Sequence, residues 1–134
     1  MNTNLSVRVV AAVAVLVSAF VHLRLWLDGV KDQHVVGPAF LVNAIAGVVI
    51  AVLLVLSRSW EPPFLAVGFG ASSILALVIS STVGLFGVHE HWTGPYVWTS
   101  FIAEVVAIVA GLTVLAGEVQ HLPRYKRHAP GYNT

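Results

Sequence analysis

The sequence contains no cysteine, and this absence excludes several kinds of chemistry. Disulfide bonds, thiolate metal sites, iron–sulfur ligation and thiol redox cycles all need cysteine sulfur. Charge is also scarce, since charged side chains make up only 10% of the 134 residues and the net charge is +1. A chain so close to neutral has no electrostatic basis for binding nucleic acid. A glycine-rich phosphate loop, a nucleophile elbow and an aspartate-rich metal motif are missing as well.

Apolar residues, by contrast, are abundant and occur in long runs. They make up 57% of the chain and concentrate in four segments, at about 9–27, 36–56, 64–88 and 97–117. A helix needs about 20 consecutive apolar residues to cross a bilayer. The sequence therefore predicts an all-α fold, with one domain of four transmembrane helices over residues 1–121 and a short basic tail over 122–134.

The connectors and the basic residues predict how these helices are arranged. Turn-forming pairs such as Asp28-Gly29 and Gly94-Pro95 separate the segments, and such short loops favour an up-down-up-down antiparallel bundle. Lysine and arginine near the ends of membrane helices are enriched on the cytoplasmic side. Most basic residues fall on one predicted side, namely Arg8, Arg58, Arg124, Lys126 and Arg127, against Arg24 and Lys31 on the other. We therefore expect a multi-pass plasma-membrane protein with both termini and the basic tail in the cytoplasm.

Each predicted helix carries one polar residue at a similar depth. Counting about 1.5 Å per residue from the outer helix ends places His22, Asn43, Ser80 or Ser81, and Glu104 roughly 7–12 Å below the outer boundary, and helical spacing favours Ser80 of the two serines. Each lies among small residues at helical spacing, and small residues favour contact between membrane helices. The four side chains are therefore predicted to meet in the outer-leaflet half and, with Trp98, to form a ligand-binding pocket.

Glu104 is the most informative member of this layer, because an ionisable residue inside a membrane is costly and usually has a nearby partner. His22 is the predicted partner, since a carboxylate can hold an imidazole in one tautomer. The alternative is that the layer only joins helices, through hydrogen bonds of about 1 kcal/mol each.

The predicted outer loops are rich in histidine, which leaves a second kind of site open. His89 and His91 flank Glu90 in the stretch HEHW, and imidazole and carboxylate groups bind transition metals. The alternatives are an ordinary solvated loop and a pH sensor. A bis-histidine haem is not expected, because His22 is the only histidine well inside a predicted helix. No particular cofactor follows from these residues.

Three stretches resemble a group of small four-helix membrane proteins of actinobacteria for which no reaction is established. They are HLRLW at 22–26, GPAFLVNA at 37–44 and TVGLFGVHEHW at 82–92. The resemblance covers nearly all of the helical region. It implies a four-helix architecture and marks His22, Asn43 and Glu90 as candidate functional residues. In layout alone the chain is distantly similar to DoxX-like four-helix bundles, and likeness of form does not transfer function.

Three functions fit these patterns. The preferred one is a non-enzymatic binding or accessory subunit that holds a lipid or quinone-like ligand, or stabilises a larger membrane complex, because the chain has little extramembrane surface for an enzyme site. The second is a membrane oxidoreductase or a metal- or haem-handling protein that uses His22, His89, His91 and Glu104. The third is a proton-coupled carrier, which would need a homo-oligomer because the inner halves of the helices are almost purely apolar.

Overall fold

A computed structural model describes residues 3–120, which fold into four long α-helices. The helices are α1 (Thr3–Leu27), α2 (Val36–Leu56), α3 (Glu61–Thr82) and α4 (Pro95–Gln120), with a short 3₁₀ turn at Val30–Asp32. All four helices are long and apolar enough to cross a membrane. The protein is therefore all-α in its described part and has the composition of a multi-pass membrane protein. The basic tail predicted at 122–134 lies outside the described residues.

The helix bounds agree with the prediction for α2 and differ for the other three helices. Both α1 and α4 extend past the predicted apolar runs, since α1 begins at Thr3 and α4 ends at Gln120. Polar residues can continue a helix beyond the hydrocarbon core, so an apolar run marks the membrane-embedded part rather than the ends of the helix.

The predicted end of the third helix at residue 88 is wrong, because α3 stops at Thr82. Beyond it the backbone turns sharply, with positive φ angles of 86° at Gly84, 48° at Phe86 and 81° at Gly87. Glycine adopts this left-handed conformation at little cost. Leu85 and Val88 then exchange two backbone hydrogen bonds of 2.8 and 2.9 Å. The apolar segment 83–88 is thus a turn that folds back toward α3.

The helices pack unevenly around α1, which has extensive contacts with both α2 and α4. Helix α3 packs mainly on α4, whereas the contact between α2 and α3 is far less extensive. Close approach depends on small residues, as where Gly47 of α2 faces Ala19 of α1. The buried hydrophobic residues are largely alanine and valine. This arrangement leaves α2 and α3 separated along much of their length, with a cavity between them.

A buried arginine near the start of α1 joins three parts of the bundle. Arg8 is only 1% exposed, and its Nη2 lies 2.6 Å from Oε1 of Glu118 on α4. The guanidinium also donates to the backbone carbonyls of Ser57, at 2.9 Å, and of Ser59, at 2.6 Å, just after α2. Carbonyl groups at a helix end lack partners within the helix. Arg8 therefore holds the α2–α3 connection against α1 and α4, a role that charge counting did not predict.

Candidate ligand-binding cavity

A cavity of about 550 Å³ lies against α2 and α3 and reaches α1, α4 and the loop after α3. Most of its wall is apolar, with aromatic rings from Phe40, Phe64 and Phe69. A smaller set of polar side chains borders the same space, namely His22, Asn43, Ser72, Ser73, Ser80, Glu90, Ser100 and Glu104. The four residues of the predicted polar layer therefore do surround one cavity. Whether they bind a ligand remains a prediction.

Glu104 is the most buried of these polar groups, with 2% of its surface exposed. Its Oε1 accepts a hydrogen bond of 2.6 Å from Ser100, one turn earlier on α4, and one of 2.9 Å from Ser18 on α1. The first follows from the i,i+4 spacing on one helix face, and the second from the close packing of α1 on α4. The carboxyl group is thus held by two hydroxyl donors from two helices.

His22 and Glu104 are linked only indirectly, because both contact Ser18. The Nδ1 atom of His22 lies 2.8 Å from the carbonyl oxygen of Ser18, which can only accept, so Nδ1 carries the hydrogen. The Ser18 hydroxyl, which donates to Glu104, lies 3.3 Å from the same Nδ1. Sequence reasoning paired His22 directly with Glu104 and missed Ser18 as the bridge. Its position one turn before His22, and that of Ser100 one turn before Glu104, were the signals available.

Asn43 connects the two helices that pack least against each other. Its side-chain Nδ2 donates to the hydroxyl of Ser73 on α3 at 3.2 Å. The hydrogen bond spans the cavity wall between α2 and α3, so it limits how far the two helices separate.

Ser80 positions the loop that follows α3. Its buried hydroxyl donates to the carbonyl of Val88 at 2.8 Å and accepts from the backbone N–H of Glu90 at 3.1 Å. The hydroxyl hydrogen is therefore already used within the protein. The effect is to bring Glu90, a loop residue, to the border of the cavity.

Trp98 lies away from the cavity, although the sequence placed it among the ligand-binding residues. It is 47% exposed, and its ring centroid is 5.4 Å from that of Trp92 and 6.0 Å from that of Phe101. Its indole N–H points to the carbonyl of Trp92 at 3.3 Å. Trp98 precedes Glu104 by six residues, or about 600° of helical rotation, so the two side chains cannot share a face. Tyr96 borders the cavity from the start of α4 instead.

The two loop histidines lie exposed and do not form the centre of a metal-binding group. The ring of His89 packs against Gly84, where an added Cβ would come within 2.7 Å of it. His91 is exposed next to Glu90. Over residues 3–120 no three histidine, aspartate or glutamate side chains are placed so that they could hold a metal ion. The cavity is therefore the better-formed candidate site.

Comparisons of the chain with family models, with curated proteins and with solved structures give no match. The resemblance to small actinobacterial membrane proteins therefore stays a prediction, and any functional conclusion depends on the cavity itself.

Proposed function

We propose that the protein is a non-enzymatic membrane binding protein that holds one small amphipathic molecule, such as a lipid or a quinone-like compound, in the cavity between α2 and α3. The observation that carries the proposal is the cavity of about 550 Å³, whose apolar wall is interrupted by a few polar groups. Ligand pockets in proteins typically measure about 300–1,000 Å³ and share this mixture of surfaces. The oxidoreductase and metal-handling alternative needs His89 and His91 in addition to His22 and Glu104. Both loop histidines are exposed, and over residues 3–120 no three histidine or acidic side chains are placed to hold a metal ion.

The ligand would enter sideways from the bilayer. Several residues of the cavity wall are also strongly exposed, including Val42 of α2 at 64% and Phe64 of α3 at 57%. They lie on the two helices that pack least against each other. An apolar molecule dissolved in the membrane could therefore reach the cavity without crossing water.

We also propose an up-down-up-down bundle in the plasma membrane, with both termini in the cytoplasm. The contacts of Arg8 support it, because they bring the start of α1, the end of α2 and the end of α4 together. Arg58 lies at the same end, as expected for the cytoplasmic side. The cavity groups around Glu104 would then lie in the outer-leaflet half.

The apolar core favours binding over proton transport. Between the Glu104 group and the Arg8 group, the buried side chains are apolar, among them Val15, Leu54, Ala107 and Ala110. A proton relay needs a chain of ionisable or hydrogen-bonding groups. The described residues offer no such chain between the two ends of the bundle.

A tryptophan placed in the cavity tests the proposal. Gly68 borders the cavity, and a Cβ added there has no atom within 4 Å, so Gly68→Trp fills the space without displacing the backbone. Gly117 on α4 is equally open but lies outside the cavity wall, which makes Gly117→Trp the matched control.

The measurement is organic extraction of each purified protein, followed by mass spectrometry of the extract. We expect an amphipathic compound to accompany the wild type and Gly117→Trp, and roughly ten-fold less of it to accompany Gly68→Trp. Equal recovery from all three proteins would contradict the proposal.

A further inference from the structure

Two carboxyl groups border the cavity, and among the described residues the only basic side chain beside them is the imidazole of His22. Glu90 and Glu104 both border it, whereas no lysine or arginine does among the residues that the structure describes. Two of the arginines are already paired elsewhere, since Arg8 bonds Glu118 and Arg24 lies 3.2 Å from Asp28. Apart from the imidazole of His22, any charge compensation within the cavity therefore has to come from what occupies it.

Glu104 is the group whose ionised form most needs such compensation. A buried carboxylate is costly unless a cation or several donors accompany it. The hydrogen bonds from Ser18 and Ser100 both reach Oε1. This leaves Oε2, on a residue that borders the cavity, as the acceptor for a donor on the ligand.

The other polar groups at this end favour the same ligand chemistry. Because Nδ1 of His22 donates to the carbonyl of Ser18, Nε2 of the neutral ring is an acceptor. The carboxylate of Glu90 also accepts. The rings of Phe40 and Tyr96 border the cavity too, and aromatic faces attract cations. A head group that donates hydrogen bonds and carries positive charge complements all of these groups, whereas a phosphate or carboxylate would meet two carboxylates.

We propose that the ligand is an amphipathic amine, with an apolar body in the α2–α3 part of the cavity and an ammonium head between Glu104 and Glu90. This inference rests on the proposed binding function and adds the chemical class of the ligand. Charge-assisted hydrogen bonds from an ammonium group to carboxylates are stronger than neutral ones. Selectivity for amines over alcohols and acids of the same length should follow.

The test compares three probes that share one chain and differ in the head group. Radiolabelled dodecylamine, dodecanol and dodecanoate are equilibrated at pH 7 with the protein in phosphatidylcholine nanodiscs. Binding that disappears in Gly68→Trp is counted as cavity binding, which removes partition into the lipid. We expect dodecylamine to bind roughly ten-fold more tightly than dodecanol, and dodecanoate not to bind.

Two charge-neutral variants locate the head group. Glu104→Gln should weaken dodecylamine binding roughly ten-fold and leave dodecanol binding unchanged. Glu90→Gln should also weaken dodecylamine binding. This variant is expected to fold normally, because the backbone N–H of residue 90 still donates to the hydroxyl of Ser80.

The outcomes separate the two proposals. Equal cavity binding of the amine and the alcohol, or equal loss of both in the glutamine variants, overturns the amine assignment and leaves the binding function standing. If no probe shows binding that Gly68→Trp removes, the binding function fails, and the amine assignment fails with it.

Discussion

Glu104 shows how one residue can link packing and binding. Its carboxyl group lies in an almost fully buried position, where the hydroxyls of Ser18 and Ser100 replace the water it would otherwise bind. An ionisable group in such a place has to be satisfied or it destabilises the fold. Because only Oε1 is used by the two serines, the same side chain supports the α1–α4 contact and can still face a ligand.

Replacement of Glu104 separates its polar contacts from its charge. Glu104→Gln keeps an acceptor oxygen for both serine hydroxyls, so it should lower the free energy of unfolding by about 1 kcal/mol or less. Glu104→Leu leaves two buried hydroxyls without their acceptor and should cost about 1–3 kcal/mol. Unfolding in mixed micelles with increasing dodecyl sulfate, followed by circular dichroism, measures both values.

Ser18→Ala provides the control for that comparison. Combined with Glu104→Leu in a double-mutant cycle, it should cost less than the sum of the two single changes, because both remove the same hydrogen bond. Additive costs, or a leucine variant as stable as the glutamine variant, would show that the hydrogen bond contributes nothing to stability.

Sequence reasoning predicted which of these residues converge but not how they contact each other. Helical rise and rotation give the depth and face of His22, Asn43 and Glu104 to within about a turn. A hydrogen bond needs positions accurate to a fraction of an ångström. The side-chain torsions and helix packing that decide this are not encoded in spacing alone, so the direct His22–Glu104 pair was predicted where Ser18 bridges the two.

At the scale of the helices, glycine sets how closely the elements approach. A Cβ added at Gly70 of α3 would lie 2.7 Å from the backbone carbonyl of Glu104 on α4. A Cβ at Gly111 would lie 2.8 Å from the carbonyl of Pro63. Glycine therefore allows α4 to pack closely against α3 at two positions, Glu104 and Gly111. Glu104 is also one of the residues that border the cavity. Small residues of this kind are typical of tightly packed membrane helices.

A matched pair of alanine variants on α3 tests this contact. Gly70→Ala forces α3 away from the backbone of α4, and overpacking of this kind typically costs about 1–3 kcal/mol. Gly68→Ala places the same methyl group on the same helix where no atom lies within 4 Å, so it should be neutral or slightly stabilising. Micellar unfolding of both proteins gives the comparison, and equal stability of the two variants would contradict the close approach at Gly70.

The end of α3 shows why an apolar run is an incomplete guide to an element. Residues 83–88 are apolar enough to continue a membrane helix, and the prediction followed that pattern. The glycines at 84 and 87 take left-handed conformations instead, and Ser80 bonds the returning chain at Val88. A glycine within an apolar segment is compatible with both outcomes, since membrane helices also contain it. Only the tertiary contacts decide between them.

The whole molecule has two polar groups at opposite ends of an apolar core. One is formed around Arg8 and Glu118, the other around Glu104 and His22, and the buried residues between them are mainly alanine. Breaking a buried ion pair is strongly destabilising, which suits a purely structural role for the first group. The second group borders a cavity and is the one available to a ligand.

The absence of cysteine makes the orientation of the whole molecule directly measurable. Two exposed positions suit single-cysteine variants, Ser59 in the loop before α3 and Thr93 in the loop before α4. If the termini are cytoplasmic, a membrane-impermeant maleimide should label Thr93→Cys in intact cells and should label Ser59→Cys only after permeabilisation. Labelling of Ser59→Cys alone in intact cells would invert the orientation and place the Glu104 cavity in the cytoplasmic half. Labelling of both variants in intact cells would be incompatible with four spanning helices. Only α3 lies between the two loops, and a single spanning helix places them on opposite sides of the membrane.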